Sequence, residues 1–381
     1  MDFSWTDEQL AFKNAVIAFA KRELNDDLIE SDRQGEFSRK KWNKCAHFGI
    51  QGLPIAEDYG GAGVDILTTM LAMEGLGYGC RDNGLVFALN AQLWSVELPI
   101  VTFGTEAQKQ SYLPRLCSGE LIGAHGMTEP DSGSDAYKLR TFAKRGNGGY
   151  ILNGSKTFVT NAPVADLAVV FATVDPNQGL GGITAFLVEN GTPGFSVGRD
   201  IDKMGLRTAP MAELIFQDCH VPEQNRLGPE GAGASIFNSS MEWERSCILA
   251  SHVGAMQRQL ETCIKYARER RQFGQPIGKF QSVSNRIADM QVRLETARLI
   301  LGKVAWLKKT GKPAVMEAAI AKLYLSESFV KSSMDAIRIH GGYGYTTEFE
   351  VERDLRDAVG GTLYSGTSDI QRMIIARWLG L

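Results

Sequence analysis

Apolar residues recur every three or four positions along the first third of the chain, which is the spacing of one helix face. Polar caps precede two of these segments, and the glycines at 60–63 interrupt the pattern. The segments with helical spacing are 10–19, which Thr6 caps, 67–78, 90–103 and the one that Thr105 begins. The sequence therefore predicts an all-helical domain over residues 1–121.

Residues 122–230 have a different pattern, in which short apolar runs alternate with glycine, asparagine, aspartate and proline. Residues 150–156 are typical of a strand, a turn and a second strand. Further strands are expected at 167–174, 184–188 and 212–216. We expect this segment to form a compact β domain between two helical ones.

Long amphipathic helices return after residue 231. They are predicted at 236–268, 282–309, 314–340 and 368–379. Helices of this length and pattern favour a bundle over residues 231–381. The fold class that follows is α+β, with a helical N-terminal domain, a central β domain and a C-terminal four-helix bundle.

The composition is that of an ordinary globular protein, and the net charge of −3 gives no basic field for nucleic acid. The six cysteines form no CxxC pair or metal-like cluster, which indicates free thiols in a reducing compartment and no metal site. The N-terminus lacks the pattern of a signal peptide, and no stretch approaches the roughly 20 apolar residues of a membrane helix. We therefore expect a cytoplasmic protein without nucleic-acid or membrane partners.

Five motifs rich in glycine, hydroxyl or arginine side chains are suited to contact a polar ring or a phosphate. Each also has an ordinary structural explanation: a turn, a strand end, arginines in the last turn of a helix, a glycine-rich turn or a helix cap. In chain order they are 126–135, 156–161, 268–277, 340–345 and 363–372. Taken singly, none of them is specific.

In this order and spacing, the five motifs resemble the acyl-CoA dehydrogenase family along essentially the whole chain. Segments 54–61 and 372–377 extend the similarity towards both ends. The resemblance implies a helical N-terminal domain, a central β-barrel-like domain and a C-terminal four-helix bundle. It also implies FAD as the cofactor and a homotetramer that is a dimer of dimers.

The resemblance assigns residues of every motif to FAD. It places four residues near the flavin and the substrate thioester: His125, Met127, Thr128 and Ser134. The isoalloxazine ring would be flanked by Phe158 and Thr160. The FAD of a neighbouring subunit would be reached by Arg270, Gln272, Phe273 and Gln281. Near the pyrophosphate would lie Arg338, Gly341 and Gly342, and near the ADP part Thr367 and Asp369.

Three of these positions depart from the family pattern. The family usually has glutamine in place of Arg338 and often glutamine in place of Asp369. His125 replaces a more usual aromatic or small residue. An arginine at 338 remains compatible with pyrophosphate binding, whereas a carboxylate at 369 suits phosphates less well.

The position of the catalytic base is a further departure. Many members carry a glutamate just after the tyrosine of the last motif, where this chain has Ser365. Serine cannot remove a proton α to a thioester without a base of its own. Isovaleryl-type and long-chain members instead carry the glutamate on the first long helix of the C-terminal domain, before an arginine. Glu242 and Glu244, which precede Arg245, are the acids in this region.

Helix geometry separates the two acids. Glu244 shares a helix face with Met241, Cys247 and Ile248, whereas Glu242 lies about 200° around the helix. Glu244 is therefore the predicted base, because it is the carboxylate on the apolar face. The alternative is a Glu244 ion pair inside the bundle. Arg245 would hold the helix or contact the substrate.

The sequence as a whole is most similar to dehydrogenases that act on prolyl groups tethered to peptidyl or acyl carrier proteins in natural-product biosynthesis. In that case Glu244 would remove the α-proton, FAD N5 would accept the hydride, and a dehydroprolyl thioester would form. The predicted substrate-side residues are Arg245, Tyr364, Asn90, Gln92 and Trp94. For the last three, ordinary helix packing or solvation is the alternative. Electrons would then pass to an electron-transfer flavoprotein or to oxygen.

Two other functions are compatible with the sequence. One is a short- or branched-chain acyl-CoA dehydrogenase of the isovaleryl type, which would act on acyl-CoA. The other is a non-catalytic protein that binds flavin and a partner, which the presence of Glu244 disfavours. Whether one double bond or two are made stays open.

Overall fold

The structure is a computed structural model that describes residues 4–381. Its N-terminal part is helical, with α1 (Asp7–Glu23), α2 (Leu28–Gln34), α3 (Arg39–Phe48), α4 (Ile66–Gly79), α5 (Asn83–Gln92), α6 (Leu98–Phe103) and α7 (Glu106–Cys117). The two predicted caps are confirmed, because Thr6 and Thr105 each form a capping box with the glutamine three residues later.

A π-helical turn over Leu93–Glu97 joins α5 to α6, so that residues 83–103 form one continuous helical segment. This segment has 21 residues and a mean hydropathy of 1.4. By length and composition alone it could cross a membrane. Our expectation that no stretch approaches this limit is therefore wrong. The physical reason is burial, since 89% of the most apolar window lies inside the protein and a helix buried on all sides is apolar on all sides.

The middle of the chain forms one sheet. Its strands are β1 (Gly123–Gly126), β2 (Phe142–Gly146), β3 (Gly149–Thr160), β4 (Leu167–Thr173), β5 (Ile183–Glu189), β6 (Phe195–Asp200), β7 (Met211–Pro222) and β8 (Arg226–Leu227). They are ordered β6-β7-β3-β2-β4-β5-β8, and β1 pairs in parallel with β4. The strands expected near 167–174, 184–188 and 212–216 are confirmed.

The strand–turn–strand prediction for residues 150–156 is wrong. These residues lie within the single strand β3, which has a register shift between Leu152 and Gly154. Gly154 has φ of +139°, and a Cβ there would lie 2.7 Å from the Cα of Thr141. At this point β7 has one residue more than β3, because Gln217 and Asp218 stand opposite Asn153 alone. The β-bulge therefore lies on β7, and the asparagine–glycine pair continues β3 and does not reverse the chain.

The C-terminal part is helical again, with α8 (Gly233–Cys247), α9 (Leu249–Glu269), α10 (Gln281–Lys309), α11 (Val315–His340), α12 (Val351–Gly361) and α13 (Ser368–Trp378). The helix predicted at 236–268 is α8 followed by α9, separated only by Ile248, which itself keeps helical φ and ψ of −58° and −29°. Between α9 and α10 lies a short hairpin of β9 (Arg271–Gln272) and β10 (Gln275–Pro276).

The two helical parts share one hydrophobic core, while the sheet has a second, smaller one around Phe186 and Phe216. Small residues bring α4 and α9 together across the shared core. A Cβ on Gly254 would lie 2.0 Å from the Glu74 carbonyl oxygen, and one on Gly77 would lie 2.0 Å from the Ser251 carbonyl oxygen. This close approach places the segment after α4 directly against the start of the C-terminal helices.

Candidate active site

The Glu244 carboxylate on α8 accepts hydrogen bonds from two serine hydroxyls. Ser95 Oγ donates to one carboxylate oxygen at 2.6 Å, and Ser365 Oγ donates to the other at 2.5 Å. Ser95 comes from the π-helical turn, and Ser365 comes from the segment between α12 and α13. Three elements far apart in sequence therefore meet at this one carboxylate.

Glu242 has a different environment from Glu244. Its carboxylate pairs with Lys308 Nζ at 3.0 Å, and the same ammonium lies 3.9 Å from the centroid of the Trp243 ring. Within residues 4–381, Glu244 has no such ion pair with lysine or arginine. A structural ion pair, the alternative considered for Glu244, is thus found at Glu242. The face of Glu244 is apolar as predicted, with the buried residues Met241, Cys247 and Ile248.

The π-helical turn brings Ser95 to the site, and the predicted substrate-side residues of this segment are fully buried. Trp94 donates from Nε1 to Asn90 Oδ1 at 2.8 Å and stacks on Trp243 with ring centroids 6.3 Å apart. Gln92 accepts from the Gly123 N–H at 2.8 Å and donates to Glu97. For Asn90 and Gln92 these contacts are those of helix packing, the alternative to a contact with the substrate.

Ser365 is held in an unusual backbone conformation. Its φ of +53° lies in the left-handed region, which costs a residue with a side chain about 1 kcal/mol. Its carbonyl oxygen accepts from Arg245 Nε at 3.3 Å and from Gln371 Nε2 at 3.2 Å. Gln371 is completely buried, so it and Arg245 fix the turn from two sides. Arg245 thus contacts the Ser365 turn, and its predicted role towards the helix or the substrate stays a prediction.

Tyr364, also predicted to lie near the substrate, belongs to a buried polar cluster beside Glu244. Its hydroxyl shares a hydrogen bond of 2.9 Å with His252 Nε2, and Lys322 Nζ lies 5.4 Å from its ring centroid and donates to the Gly361 carbonyl. Burial, with the nearby Lys322 charge, lowers the pKa of His252 to about 3. Burial also lowers the pKa of Lys322 to about 7. Neither Lys322 nor His252 was singled out from the sequence.

His125 on β1 lies near the base and has a buried polar atom without a partner. Its ring stacks on Phe237 with centroids 6.0 Å apart and contacts Phe171 edge-on at 5.2 Å. Burial lowers the pKa of His125, so the ring is neutral. In the described part of the chain nothing hydrogen-bonds its Nε2, which leaves this nitrogen free to bind a polar ring.

A buried ion pair holds the hydroxyl-rich loop that follows β1. Lys156 Nζ on β3 donates to Glu129 at 2.7 Å and to the Met127 carbonyl oxygen at 3.2 Å. Burial lowers the pKa of Lys156 to about 8. The Thr128 carbonyl oxygen accepts from the backbone of β3 at 2.8 Å, and Ser134 is exposed at the end of the loop.

The next residues of β3 turn an aromatic side chain outwards. The pairing of β3 with β7 shifts between Lys156 and Val159, and Phe158 has φ of +56° and a 61% exposed side chain. Thr160, two residues later, is half-buried. An exposed ring on a strained strand and an unpartnered His125 nitrogen are the features expected where a flat polar cofactor binds. The residues present therefore fit the FAD that the resemblance implies.

Three family models match the chain in succession. They are the acyl-CoA dehydrogenase N-terminal domain over residues 6–120, the middle domain over 124–219 and the C-terminal domain over 231–380. The chain belongs to the acyl-CoA dehydrogenase family. The family assignment made from the motifs is thereby confirmed, and with it the order of helical, β and helical parts.

Individual members of the acyl-CoA dehydrogenase family are similar over their full length. An L-prolyl-[peptidyl-carrier protein] dehydrogenase of Pseudomonas fluorescens is 45% identical over 100% of both chains. The crystal structure of the prolyl acyl carrier protein oxidase AnaB is 53% identical, with a TM-score of 0.98 over 99% of this chain and 100% of that one. The structure of PigA with FAD and proline is 43% identical, with a TM-score of 0.98 over 100% of both.

The residues that the family pattern assigns to a neighbouring subunit lie around the β9–β10 hairpin. Arg270 ends α9 and lies 5.5 Å from the Tyr343 ring centroid, Phe273 is 93% exposed, and Gln272 and Gln281 are exposed. These residues are exposed on the surface of their own chain, and their contact with a second subunit's cofactor stays a prediction.

The residues predicted near the pyrophosphate and the ADP part lie at two helix ends. Gly341 and Gly342 follow α11, and a Cβ on either would meet nothing within 4 Å, so this backbone is open to a ligand. Arg338 is 56% exposed and lies 3.7 Å from Asp335. Thr367 caps α13 by accepting from the Ile370 N–H, and the exposed Asp369 pairs with Arg372 at 2.8 Å. These FAD contacts also stay predictions.

Proposed function

We propose that this chain oxidises an L-prolyl group, tethered as a thioester to a peptidyl or acyl carrier protein, to a dehydroprolyl thioester in natural-product biosynthesis. The observation that carries the proposal is the Glu244 carboxylate, which has hydroxyl donors on both oxygens and no ion-pair partner among residues 4–381. Full-length similarity to proteins whose names specify prolyl carrier thioesters supports the substrate.

Each side chain has a part in this reaction. Glu244 removes the proton from the prolyl α-carbon, and bound FAD supplies the acceptor for the hydride. Arg245 and Gln371 hold the turn that carries Ser365, and the neutral His125 offers a nitrogen to the bound ring. The stacked Trp94 and Trp243 rings pack the N-terminal helices against α8, the helix that carries the base.

The test is incubation of the purified holoenzyme with a prolyl-loaded carrier protein, followed by the mass of the tethered group. Loss of two hydrogens, with bleaching of the flavin absorbance when oxygen is excluded, is the expected result. Loss of four would show a second oxidation to the pyrrole. Isovaleryl-CoA and butyryl-CoA serve as competing substrates, and turnover of either in preference to the prolyl thioester would overturn the proposal.

The electron acceptor and the assembly are parts of the same proposal. Reoxidation by air in the absence of added protein would identify oxygen as the acceptor, and dependence on an added electron-transfer flavoprotein would identify that protein instead. A homotetramer is supported by the exposed apolar side chains near the C-terminus, among them Met373, Trp378 and Leu379. The cytoplasmic location predicted from the sequence remains part of this proposal.

A further inference from the structure

The two hydroxyls on Glu244 come from elements that are held in place by other contacts. Ser95 is 2% exposed in the π-helical turn, and Ser365 lies in a left-handed turn pinned by Arg245 and Gln371. Backbone strain in a non-glycine residue persists only where its surroundings determine it, and such strain clusters at functional sites. Ser365 stands where many family members carry their catalytic glutamate, and Ser95 belongs to none of the five motifs.

We infer that Ser95 and Ser365 are positioning residues that hold the Glu244 carboxylate oriented for proton removal. Each hydroxyl donates to a different carboxylate oxygen, so each bond fixes one end of the carboxylate. Removal of the substrate proton needs an oxygen lone pair, and a carboxylate that accepts two hydrogen bonds keeps two more lone-pair sites for it. This inference rests on the proposed function, since it concerns the environment of the proposed base.

Other charged groups act on the same carboxylate. Arg245 from α8, Lys322 from α11, His125 from β1 and Tyr364 from the α12–α13 segment all interact with it electrostatically. Burial lowers the pKa of Lys322 to about 7, so the variants are compared at one fixed pH. Neither serine hydroxyl hydrogen-bonds Lys322, which donates to the Gly361 carbonyl oxygen, so removal of the hydroxyls leaves that hydrogen bond in place.

The experiment measures the rate of flavin reduction against substrate concentration in single turnovers of wild type, Ser95→Ala, Ser365→Gly and the double variant. Glycine at 365 removes the hydroxyl and suits the left-handed φ, so the thermal midpoint should stay or rise. Each single variant should lower the limiting rate about tenfold and the double variant further, because the carboxylate is less well aimed at the proton, while the substrate concentration at half-maximal rate stays that of wild type.

The matched control is Ser246→Ala on the same helix. Ser246 is fully buried, but its hydroxyl donates to the Glu242 carbonyl oxygen and not to Glu244. Its limiting rate should equal that of wild type. If the serine variants keep the wild-type limiting rate, or if they change only the substrate concentration at half-maximal rate, the two hydroxyls do not hold the base and the inference is overturned.

The substrate used in these turnovers is whichever thioester bleaches the wild-type flavin among prolyl-carrier, isovaleryl-CoA and butyryl-CoA. Reduction by isovaleryl-CoA alone would refute the proposed substrate, and the flavin reduction rates of the serine variants would still decide this inference. Absence of reduction by all three would refute both, because Glu244 would then not be a base.

Discussion

Two acids that stand two positions apart on α8 have opposite surroundings. Glu242 faces the ammonium of Lys308, while Glu244 faces hydroxyls and the electrostatic influence of groups from three other elements. The face of the helix decides this, and helix periodicity alone was enough to choose Glu244 from the sequence. The identity of its partners was not predictable, because Ser95 and Ser365 reach it from segments about 150 and 120 residues away through tertiary packing.

Glu244→Gln should abolish turnover while leaving the protein folded with FAD bound. A general base contributes about 10²- to 10⁴-fold, and the amide cannot accept the proton, so we expect at least a thousandfold loss of the flavin reduction rate. The matched control is Glu242→Gln, which leaves Lys308 without its carboxylate and should cost about 2 kcal/mol of unfolding free energy but little rate. Equal loss of rate in both variants would contradict the assignment.

Ser365→Glu in the Glu244→Gln background should restore part of the activity. Ser365 Oγ already lies 2.5 Å from a Glu244 oxygen, so a longer acid from residue 365 can reach the same region. The left-handed φ at this position limits how well it is held, and we expect recovery of about tenfold over Glu244→Gln. A double variant as inactive as the single one would show that the two positions do not reach the same proton.

At the scale of elements, the long periodic helices and several apolar strands were predicted, and others, such as α2, α3, α12 and β6, were not. Helix α12 escaped because several of its charged residues, Arg353, Asp354 and Asp357, are buried, which hides the apolar stripe that marks a helix in the sequence. The asparagine–glycine pair at 153–154 was taken as a turn because it is a common turn signal, whereas it continues β3 opposite a bulge in β7. In both cases a tertiary neighbour decides the structure.

The loop after β1 depends on one buried ion pair. Lys156→Met leaves the 4% exposed Glu129 without its cation, and we expect it to lower the unfolding free energy by about 3 kcal/mol and to weaken FAD retention. Chemical denaturation and the flavin-to-protein absorbance ratio measure the two effects. The control is Lys138→Met, whose pair with Asp135 is exposed to solvent and should contribute little to stability. Similar losses in the two variants would show that burial is not the cause.

At the scale of the whole molecule, the buried His252 should make stability depend on pH. Its pKa falls from the ordinary 6.5 to about 3 on folding, so below about pH 6.5 the unfolded chain binds a proton that the native protein does not. Stability should therefore fall with decreasing pH between these values, by about 1.4 kcal/mol per pH unit from this group. His252→Gln should flatten the slope by that amount in denaturation at pH 4–7, and an unchanged slope would contradict the prediction.

The exposed Phe273 should matter only in the assembly. It is 93% exposed with φ of +50°, and burial of one such ring is worth about 2 kcal/mol per contact. We expect wild type to sediment as four chains. Phe273→Ser should dissociate at protein concentrations where wild type stays associated, and it should lose FAD. The control is Leu180→Ser, an exposed apolar residue in the turn before β5. A monomeric wild type would contradict this expectation and the proposed tetramer.

The π-helical turn at Leu93–Glu97 constrains how the chain can change in length during evolution. Such a turn holds one residue more than the α-helical turn it replaces. Deletion of a single residue there would yield a regular helix with better hydrogen bonding, yet it would rotate Ser95 away from Glu244. A descendant that lost this residue would gain a regular helix and lose the hydrogen bond from Ser95 to its base. Helix regularity therefore favours the shorter segment, and the position of Ser95 favours the longer one.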